Sequence, residues 1–269
     1  MGLAMEVISG FATNPSTTFT QLTMAGSDSA SVRNFPNTAN AWLFDQWAGG
    51  GTAGFIRTVS PRLHDNVAGI TLRRTAATVR GLWSSFAKEP LFPQDTLGMF
   101  ITGGAAETDA MTSLLYYEDL PGSDARLYDW NAIAPRVLNH SGVQVNVTSG
   151  ATIGQYGGSV AINALQDQFK ANTDYAILGY ECSVSMATVG VRSADFANMR
   201  VGGPATTEAI DTRDWFVRLN TFIGRPAIPV FNAANKFNTI VDVTDVAAST
   251  AATITFLCAE LATPGGQMS

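Results

Sequence analysis

The side chains that most often carry out catalysis are sparse in this sequence and form no known catalytic pattern. The chain has two histidines, His64 and His140, and nothing places a serine and an aspartate in a triad relation with either. His64 and Asp65 could form a general-base pair, but Pro61 shortly before them favours a surface loop. The motifs G-x-S-x-G and H-E-x-x-H and the Walker phosphate loop do not occur. The glycine-rich run at 49–54 lacks the Lys-Thr ending that holds phosphate, which favours a flexible loop.

Carboxylates are the remaining candidates for catalysis or metal binding. Glu118, Asp119 and Glu260 lie at predicted strand ends, where a glycan-cleaving enzyme could place its acid pair. A retaining pair needs a separation of about 5 to 5.5 Å, usually between strands, and the sequence leaves that distance open. Asp242 and Asp245 could contribute to a calcium site, but without the D-x-D-x-D-G spacing a solvated turn is favoured. We therefore predict no catalytic residue, no metal site and no cofactor.

Five tryptophans are the other side chains with a special chemical use. On a binding protein they could form platforms on which sugars stack. In an assembling protein they would fill cores and subunit contacts, where tryptophan is enriched. They are Trp42, Trp47, Trp83, Trp130 and Trp215. These residues leave both interpretations open, a carbohydrate-binding β-sandwich and a structural subunit.

The composition favours a protein whose surface is largely covered by neighbours. Only 14% of the residues are charged, whereas 46% are hydrophobic. A freely soluble monomer normally exposes more charge, although some secreted β-domains share this composition. The net charge of −6 is opposite in sign to that of a protein that coats nucleic acid by neutralising phosphates. No apolar run reaches the length of a membrane span, and residues 1–10 lack the features of a signal peptide.

The charges fall into two adjoining blocks of opposite sign. Residues 57–88 hold six bases and one acid, and residues 89–129 hold eight acids and one base. Such blocks could pair across a subunit contact, or the basic one could face a membrane or genome inside a shell. The alternative is two ordinary solvated faces of one domain. The possible subunit-contact residues are Arg57, Arg62, Arg73, Arg74, Arg80, Glu107, Asp109, Glu118 and Asp119.

The alternation of apolar and polar residues predicts an all-β chain with a few short helices. The clearest strands are predicted at 143–147, 175–180, 182–186, 238–244 and 253–257, and further strands at 17–24, 54–59, 69–73, 97–101 and 111–117. Cys182 and Cys258 fall in apolar strand-like runs and are predicted to be buried free thiols. Helices are predicted over 39–47 and over 158–170, and the segment 75–86 is ambiguous.

A weak internal repeat divides the chain into two halves. In each half a tryptophan is followed by a P-x-Φ-P segment, a strand, a linker of small residues, a second strand and an acid-Leu ending. The copies run from Trp83 through 90–120 and from Trp215 through 226–261. Two β-hairpins could share this order by chance, but five features in one order favour duplication. We predict domains over 1–125, with an inserted loop around 27–51, and over 126–269, linked through residues 121–141.

These repeat endings, with 175–186, 214–217 and 224–230 in the second half, resemble the double jelly-roll major capsid proteins of icosahedral, often membrane-containing viruses, bacteriophages among them. The shared motifs are hydrophobic patterns punctuated by proline and glycine. The resemblance implies two tandem jelly-roll β-sandwiches and a homotrimer of pseudo-hexameric outline.

The resemblance also implies a function. The protein would be a structural shell subunit of the virion, assembled in the host cytoplasm, without enzymatic activity or a small-molecule substrate. Its partners would be copies of itself, other capsid proteins, and an internal membrane or the genome. A fibre- or lectin-like protein that binds carbohydrate or a receptor is the alternative, and a glycan-cleaving enzyme is the third hypothesis.

Overall fold

Antiparallel β-strands dominate the molecule, and the helices are few and short, which confirms the predicted all-β class at this level. The computed structural model describes residues 2–26, 28, 40–60, 69–74, 80–82, 89–91, 96–123, 125–207 and 212–263. Within these ranges the cysteines Cys182 and Cys258 are free and buried, as predicted.

The first ten strands form two sheets. They are β1 (Ala4–Thr13), β2 (Thr20–Gln21), β3 (Thr23–Met24), β4 (Asn40–Gly49), β5 (Gly54–Val59), β6 (Ile70–Arg74), β7 (Arg80–Leu82), β8 (Glu89–Leu91), β9 (Gly98–Ile101) and β10 (Thr108–Glu118). Sheet 1 has the order β3-β1-β10-β4-β7, with β8 also pairing with β4, and sheet 2 has the order β2-β9-β5-β6.

The remaining strands form two further sheets. They are β11 (Leu127–Tyr128), β12 (Val137–Thr148), β13 (Gly157–Ala161), β14 (Asp174–Cys182), β15 (Met186–Arg192), β16 (Arg200–Ala205), β17 (Ile228–Asn232), β18 (Ile240–Thr244) and β19 (Ala251–Leu261). Sheet 3 has the order β11-β17-β14-β19-β12, and sheet 4 has the order β13-β18-β15-β16. The described helices are α1 (Trp130–Ile133), α2 (Trp215–Ile223) and 3₁₀ turns at Ala134–Arg136, Ala194–Phe196 and Ala233–Asn238.

The described residues form two apolar cores, and sheet 1 contributes side chains to both of them. The smaller core is formed by alternate residues of sheet 1, such as Ile8 and Leu115, together with residues of sheet 2, such as Ile56 and Met99. The larger core fills the space between sheets 3 and 4 and continues onto the opposite residues of sheet 1, among them Trp47. Sheet 1 is therefore buried on both faces, and strands of this kind carry apolar residues without alternation.

Both predicted helices are wrong. Residues 40–49 form β4, in which nearly every side chain is buried, so the pattern lacks the period of two that marks a half-exposed strand. Residues 157–161 form β13, and the chain then turns. Leu165, placed on the supposed helical stripe, is 48% exposed.

Several other boundaries also need correction. The predicted strand 182–186 is broken, because β14 ends at Cys182 and β15 begins at Met186. The predicted linker 121–141 contains β11, α1 and the start of β12. The predicted inserted loop contains β4, while residues 27 and 29–39 lie outside the described ranges. The helix α2, which ends at Gly224 with φ 61°, was not predicted as a helix.

Candidate assembly interface

Three of the predicted contact residues meet inside one chain. The Arg74 guanidinium at the end of β6 donates to Asp109 Oδ2 at 2.5 Å and to the carbonyl of Thr102 at 3.0 Å. Glu107 Oε1 lies 3.9 Å from the same guanidinium. The side chains of Arg74 and Asp109 are fully buried, so neither can reach a neighbouring chain. We call Arg74, Glu107 and Asp109 the tip cluster.

The tip cluster is enclosed by glycines and holds more negative than positive charge. A β-carbon at Gly50 would overlap the Asp109 carboxylate, and so would one at Gly103. Asp109 Oδ1 and Arg74 Nη1 are buried without a hydrogen-bond partner. Burial raises the pKa of Asp109, Arg74 opposes this, and the neighbouring Glu107 adds to it, so the pKa reaches about 7.

Glu107 behaves in the opposite way because its carboxylate is well supplied with donors. Partial burial raises its pKa, but the N–H of Gly104 and the hydroxyl and N–H of Thr52 outweigh that effect. The pKa of Glu107 therefore lies below its usual value. The carbonyl of Glu107 also accepts from the N–H of Asn14. The tip cluster thus ties together the loops at one end of the first pair of sheets.

Two other predicted residues lie on the outer face of sheet 2, away from the smaller core. Arg57 on β5 packs between the rings of Phe19 and Phe100, with its guanidinium carbon 4.2 and 4.9 Å from the ring centroids. Arg73 on β6 is exposed, and it pairs in register with Phe55, which is 45% exposed. This exposed combination of arginine and aromatic side chains has the composition that is enriched in protein contacts.

The remaining predicted residues are scattered. Glu118 forms an ion pair with Arg225 of the second half. Asp119 has φ 56° and turns the chain directly after β10. Arg80 belongs to β7, and Arg62 lies outside the described residues. Of the three glycosidase candidates, Glu118 and Glu260 are each paired with a different cation, since Lys170 Nζ donates to both oxygens of Glu260.

The two halves meet along a contact that the sequence did not predict. It joins the outer face of sheet 1 to sheet 4 and α2, and we call it the seam. Ser9 of β1 and Thr112 of β10 are register partners, and their hydroxyls lie 3.1 and 2.6 Å from that of Thr188 on β15. Trp47 Nε1 donates to the carbonyl of Ala187 at 3.0 Å, and its ring meets Trp215 edge to face.

A group of four charges closes one side of the seam. Arg200 of β16 donates to Asp28 of the first half at 2.7 Å and also pairs with Asp242 of β18. Asp242 is bound by Arg192 as well. The Arg200 guanidinium lies 3.5 Å from the ring centroid of Tyr156. We call Asp28, Arg192, Arg200 and Asp242 the seam cluster.

Asp28 is the link from the first half to the seam cluster. Its carboxylate accepts from the Ser9 N–H at 2.8 Å and from the Tyr156 hydroxyl at 2.9 Å. Burial raises the pKa of Asp28 in spite of the Arg200 charge and these hydrogen bonds. No periodicity marks Asp28 as a contact residue, and only its position in the folded chain gives it that role.

A second ion-pair and hydrogen-bond network lies within the second half, where the chain segment before β11 meets β14 and β17. Arg126 pairs with Asp174 at 2.5 Å, and Asp174 also accepts from Asn232. Burial raises the pKa of Asp174, but these partners outweigh it and hold the pKa below its usual value. Phe237 in the nearby 3₁₀ turn is 65% exposed. This network fixes the start of β14 against β17.

The tryptophans and the candidate metal residues are placed as follows. Trp47 and Trp215 are buried in the seam, Trp42 and Trp130 are partly buried against the larger core, and Trp83 lies outside the described ranges. In the described part of the chain, no three His, Cys, Asp or Glu side chains are grouped so that they could hold a metal ion. Among the described helices, none is long and apolar enough to cross a membrane.

Comparisons with known proteins identify no family for this chain and a weak structural similarity. No protein-family model matches the chain, and the search of curated proteins found no match. Among solved structures the chain is similar to the PBSX exported protein XepA, with 11% identity, a TM-score of 0.27, and coverage of 95% of this chain and 86% of that chain. A TM-score this low carries no argument about fold or function.

Proposed function

We propose that each half of the chain is a jelly roll and that the protein is a structural subunit of an icosahedral viral shell. A jelly roll has eight strands, lettered B to I along the chain, in two sheets of order B-I-D-G and C-H-E-F. In the second half, β12 to β19 taken as B to I match this order in sheets 3 and 4. β11 is an additional strand beside G.

The first half supports the same assignment. With β1, β2, β4, β5, β6, β7, β9 and β10 taken as B to I, sheet 1 has the order B-I-D-G and sheet 2 the order C-H-E-F. β3 is a short addition beside B, and β8 pairs with D next to G. The repetition of one strand order in one chain is the observation that carries the proposal.

The later part of the sequence repeat falls on equivalent strands under this assignment. The P-x-Φ-P segments at 90–93 and 226–229 each overlap a strand that pairs with D, but that strand is β8, the addition next to G, in the first half and β17, which is G, in the second. The strand, linker and strand that follow are β9 with β10 and β18 with β19, which are H and I in each half. This supports duplication and a domain boundary close to residue 125.

The seam supports a role as a building block. Two sandwiches joined by an apolar core, three hydroxyls and a four-charge cluster form one unit with two similar parts. Three such chains would provide six similar parts, a pseudo-hexamer that can tile a closed shell. We therefore infer a homotrimer that assembles further with copies of itself.

Light scattering coupled to size exclusion, followed by negative-stain imaging, tests this proposal. We expect trimers at micromolar concentration and closed particles or hexagonal arrays on concentration. A chain that stays monomeric throughout this range contradicts the proposed function. A glycan array with the same sample separates the lectin alternative, which requires saturable binding of a defined sugar.

A further inference from the structure

The seam shows how one sandwich of this chain packs against another. The outer face of sheet 1 covers sheet 4, with β1 against β16 and β10 against β15. The strands β1 and β10 are the first and last of their half. Ser9 on β1 and Thr112 on β10 form a pair of hydrogen-bonded hydroxyls at this contact. Arg200 of sheet 4 donates across the contact to Asp28.

Each half has one corresponding face that the described residues leave open. Sheet 2 matches sheet 4 in strand order, and its outer face carries Phe55 and Arg73 in an exposed position. Sheet 3 matches sheet 1 in strand order. The outward side chains of its first strand, β12, include Gln144 and Asn146, both exposed.

The open face of sheet 3 repeats the chemistry of β1 and β10 in the seam. Gln144 of β12 is the register partner of Thr255 on β19, as Ser9 is of Thr112. On the next strand Glu181 is in register with Thr255, which extends the polar row. Glu181 is already bound by Arg213 of its own chain, so the acceptors that this face offers to an arginine are the Gln144 amide and the Thr255 hydroxyl.

From this correspondence we propose that the outer face of sheet 2 binds the outer face of β12 and β19 in a second copy of this chain, head to tail. The inference rests on the proposed function, because it assigns the contact through which the trimer forms. Arg73 on β6 takes the place that Arg200 has on β16, each on the strand at the edge of its sheet. The side-chain amide oxygen of Gln144 in the next copy takes the place of the Asp28 carboxylate as the acceptor.

Electrostatics favours this pairing over a symmetric one. Two copies that met through sheet 2 alone would bring Arg57 and Arg73 of one chain against the same residues of the other, and like charges across a contact cost binding free energy. A head-to-tail contact instead joins unlike faces, and such contacts generate rings when the rotation closes. The internal seam and the external contact would then alternate around the ring.

Cysteine cross-linking tests the assignment. Both native cysteines are buried, so a short bismaleimide will react with introduced cysteines on the surface. We expect the double variant Arg73→Cys/Gln144→Cys to give a ladder of covalent dimers and trimers, and the mixture of the two single variants to give dimers. Each single variant alone should give none. The control pair Arg73→Cys/Gln168→Cys places the second thiol on an exposed loop of the second half and should lose the ladder.

The outcomes separate this inference from the proposed function. If light scattering shows trimers but the double variant does not cross-link, or if a single variant cross-links alone, the assigned face is wrong and the shell function stands. If the wild-type chain is monomeric, both proposals fail. A covalent ladder in the trimer supports both.

A surface substitution gives a second, independent measurement. Phe55→Glu places a charge at the centre of the proposed contact and should abolish the trimer, while Phe55→Tyr keeps an aromatic ring and should retain it. Thermal unfolding of both variants should match the wild-type subunit, because Phe55 is already 45% exposed. A Phe55→Glu variant that still forms trimers with the wild-type dissociation constant overturns the assignment.

Discussion

The tip cluster and the seam cluster both bury an arginine between two carboxylates, but they differ in balance. The seam cluster has two arginines for two acids, and Arg200 also stacks on Tyr156. The tip cluster has one arginine for two acids, and two of its polar atoms have no partner. The comparison teaches that burial raises the pKa of a carboxylate even where the charges balance, as at Asp28, and that an unmatched second acid adds to this shift, as Glu107 does at Asp109.

The largest effect is expected from removal of the tip-cluster arginine. Arg74→Met leaves Asp109 and Glu107 without a cation, and breaking a buried pair in this way costs about 3–5 kcal/mol. Arg200→Met should cost less, since Asp242 keeps Arg192 and Asp28 keeps the hydrogen bonds from Ser9 and Tyr156. Urea unfolding at pH 8 measures both, with Arg218→Met, which removes an exposed surface pair with Asp214, as a control of little effect. A larger loss for Arg200→Met than for Arg74→Met contradicts the comparison.

The second effect concerns pH. The pKa of Asp109 is raised from 3.8 to about 7 in the folded chain, so the folded state binds the proton more tightly than the unfolded state. This stabilisation is complete below pH 3.8 and is lost as the pH rises through 7. Asp109→Asn should remove the dependence, with a difference from wild type of more than about 1 kcal/mol between pH 4.5 and 7.5. Parallel unfolding curves of the two proteins across this range would contradict the prediction.

The smallest effect on the free energy of unfolding is expected from a change in the cluster of three hydroxyls in the seam. Thr188→Val removes a partner of Ser9 and Thr112, which can still bond to each other at 2.8 Å, so the expected cost is about 1 kcal/mol. Thr253→Val, which removes a hydroxyl that donates to Asn146 at 2.8 Å in an exposed position, should cost less. Equal losses in chemical denaturation would show that burial does not strengthen the seam hydrogen bonds.

Prediction of strands from the sequence was most direct where one face of a strand is exposed. The predicted strand 54–59 coincides with β5, and 143–147 and 253–257 fall inside β12 and β19. In β12 the side chains Val143, Val145 and Val147 are buried and alternate with exposed polar residues. The alternation of residue types in the sequence therefore matches the alternation of burial in the strand. Where both faces are buried, alternation is absent: β10 and β14 were still predicted as strands from their apolar runs, whereas β4 was mistaken for a helix.

The candidate interface was predictable only in part. The basic and acidic blocks were predicted to pair between chains, but Arg74 of one block and Asp109 of the other pair within a single chain. The exposed residues Phe55 and Arg73 become neighbours only through the pairing of β5 with β6. Asp28 and Arg200 are separated by most of the chain, and no local pattern could have joined them.

The sequence by itself determined the all-β fold class, because period-two alternation and turn residues act locally. It also marked the repeat endings that fall on β9 with β10 and on β18 with β19. Only the tertiary structure decided which strands are neighbours, which charges are buried and which sheet faces stay open. These properties depend on contacts between residues far apart in the chain, whose free energies appear only when the sheets have packed.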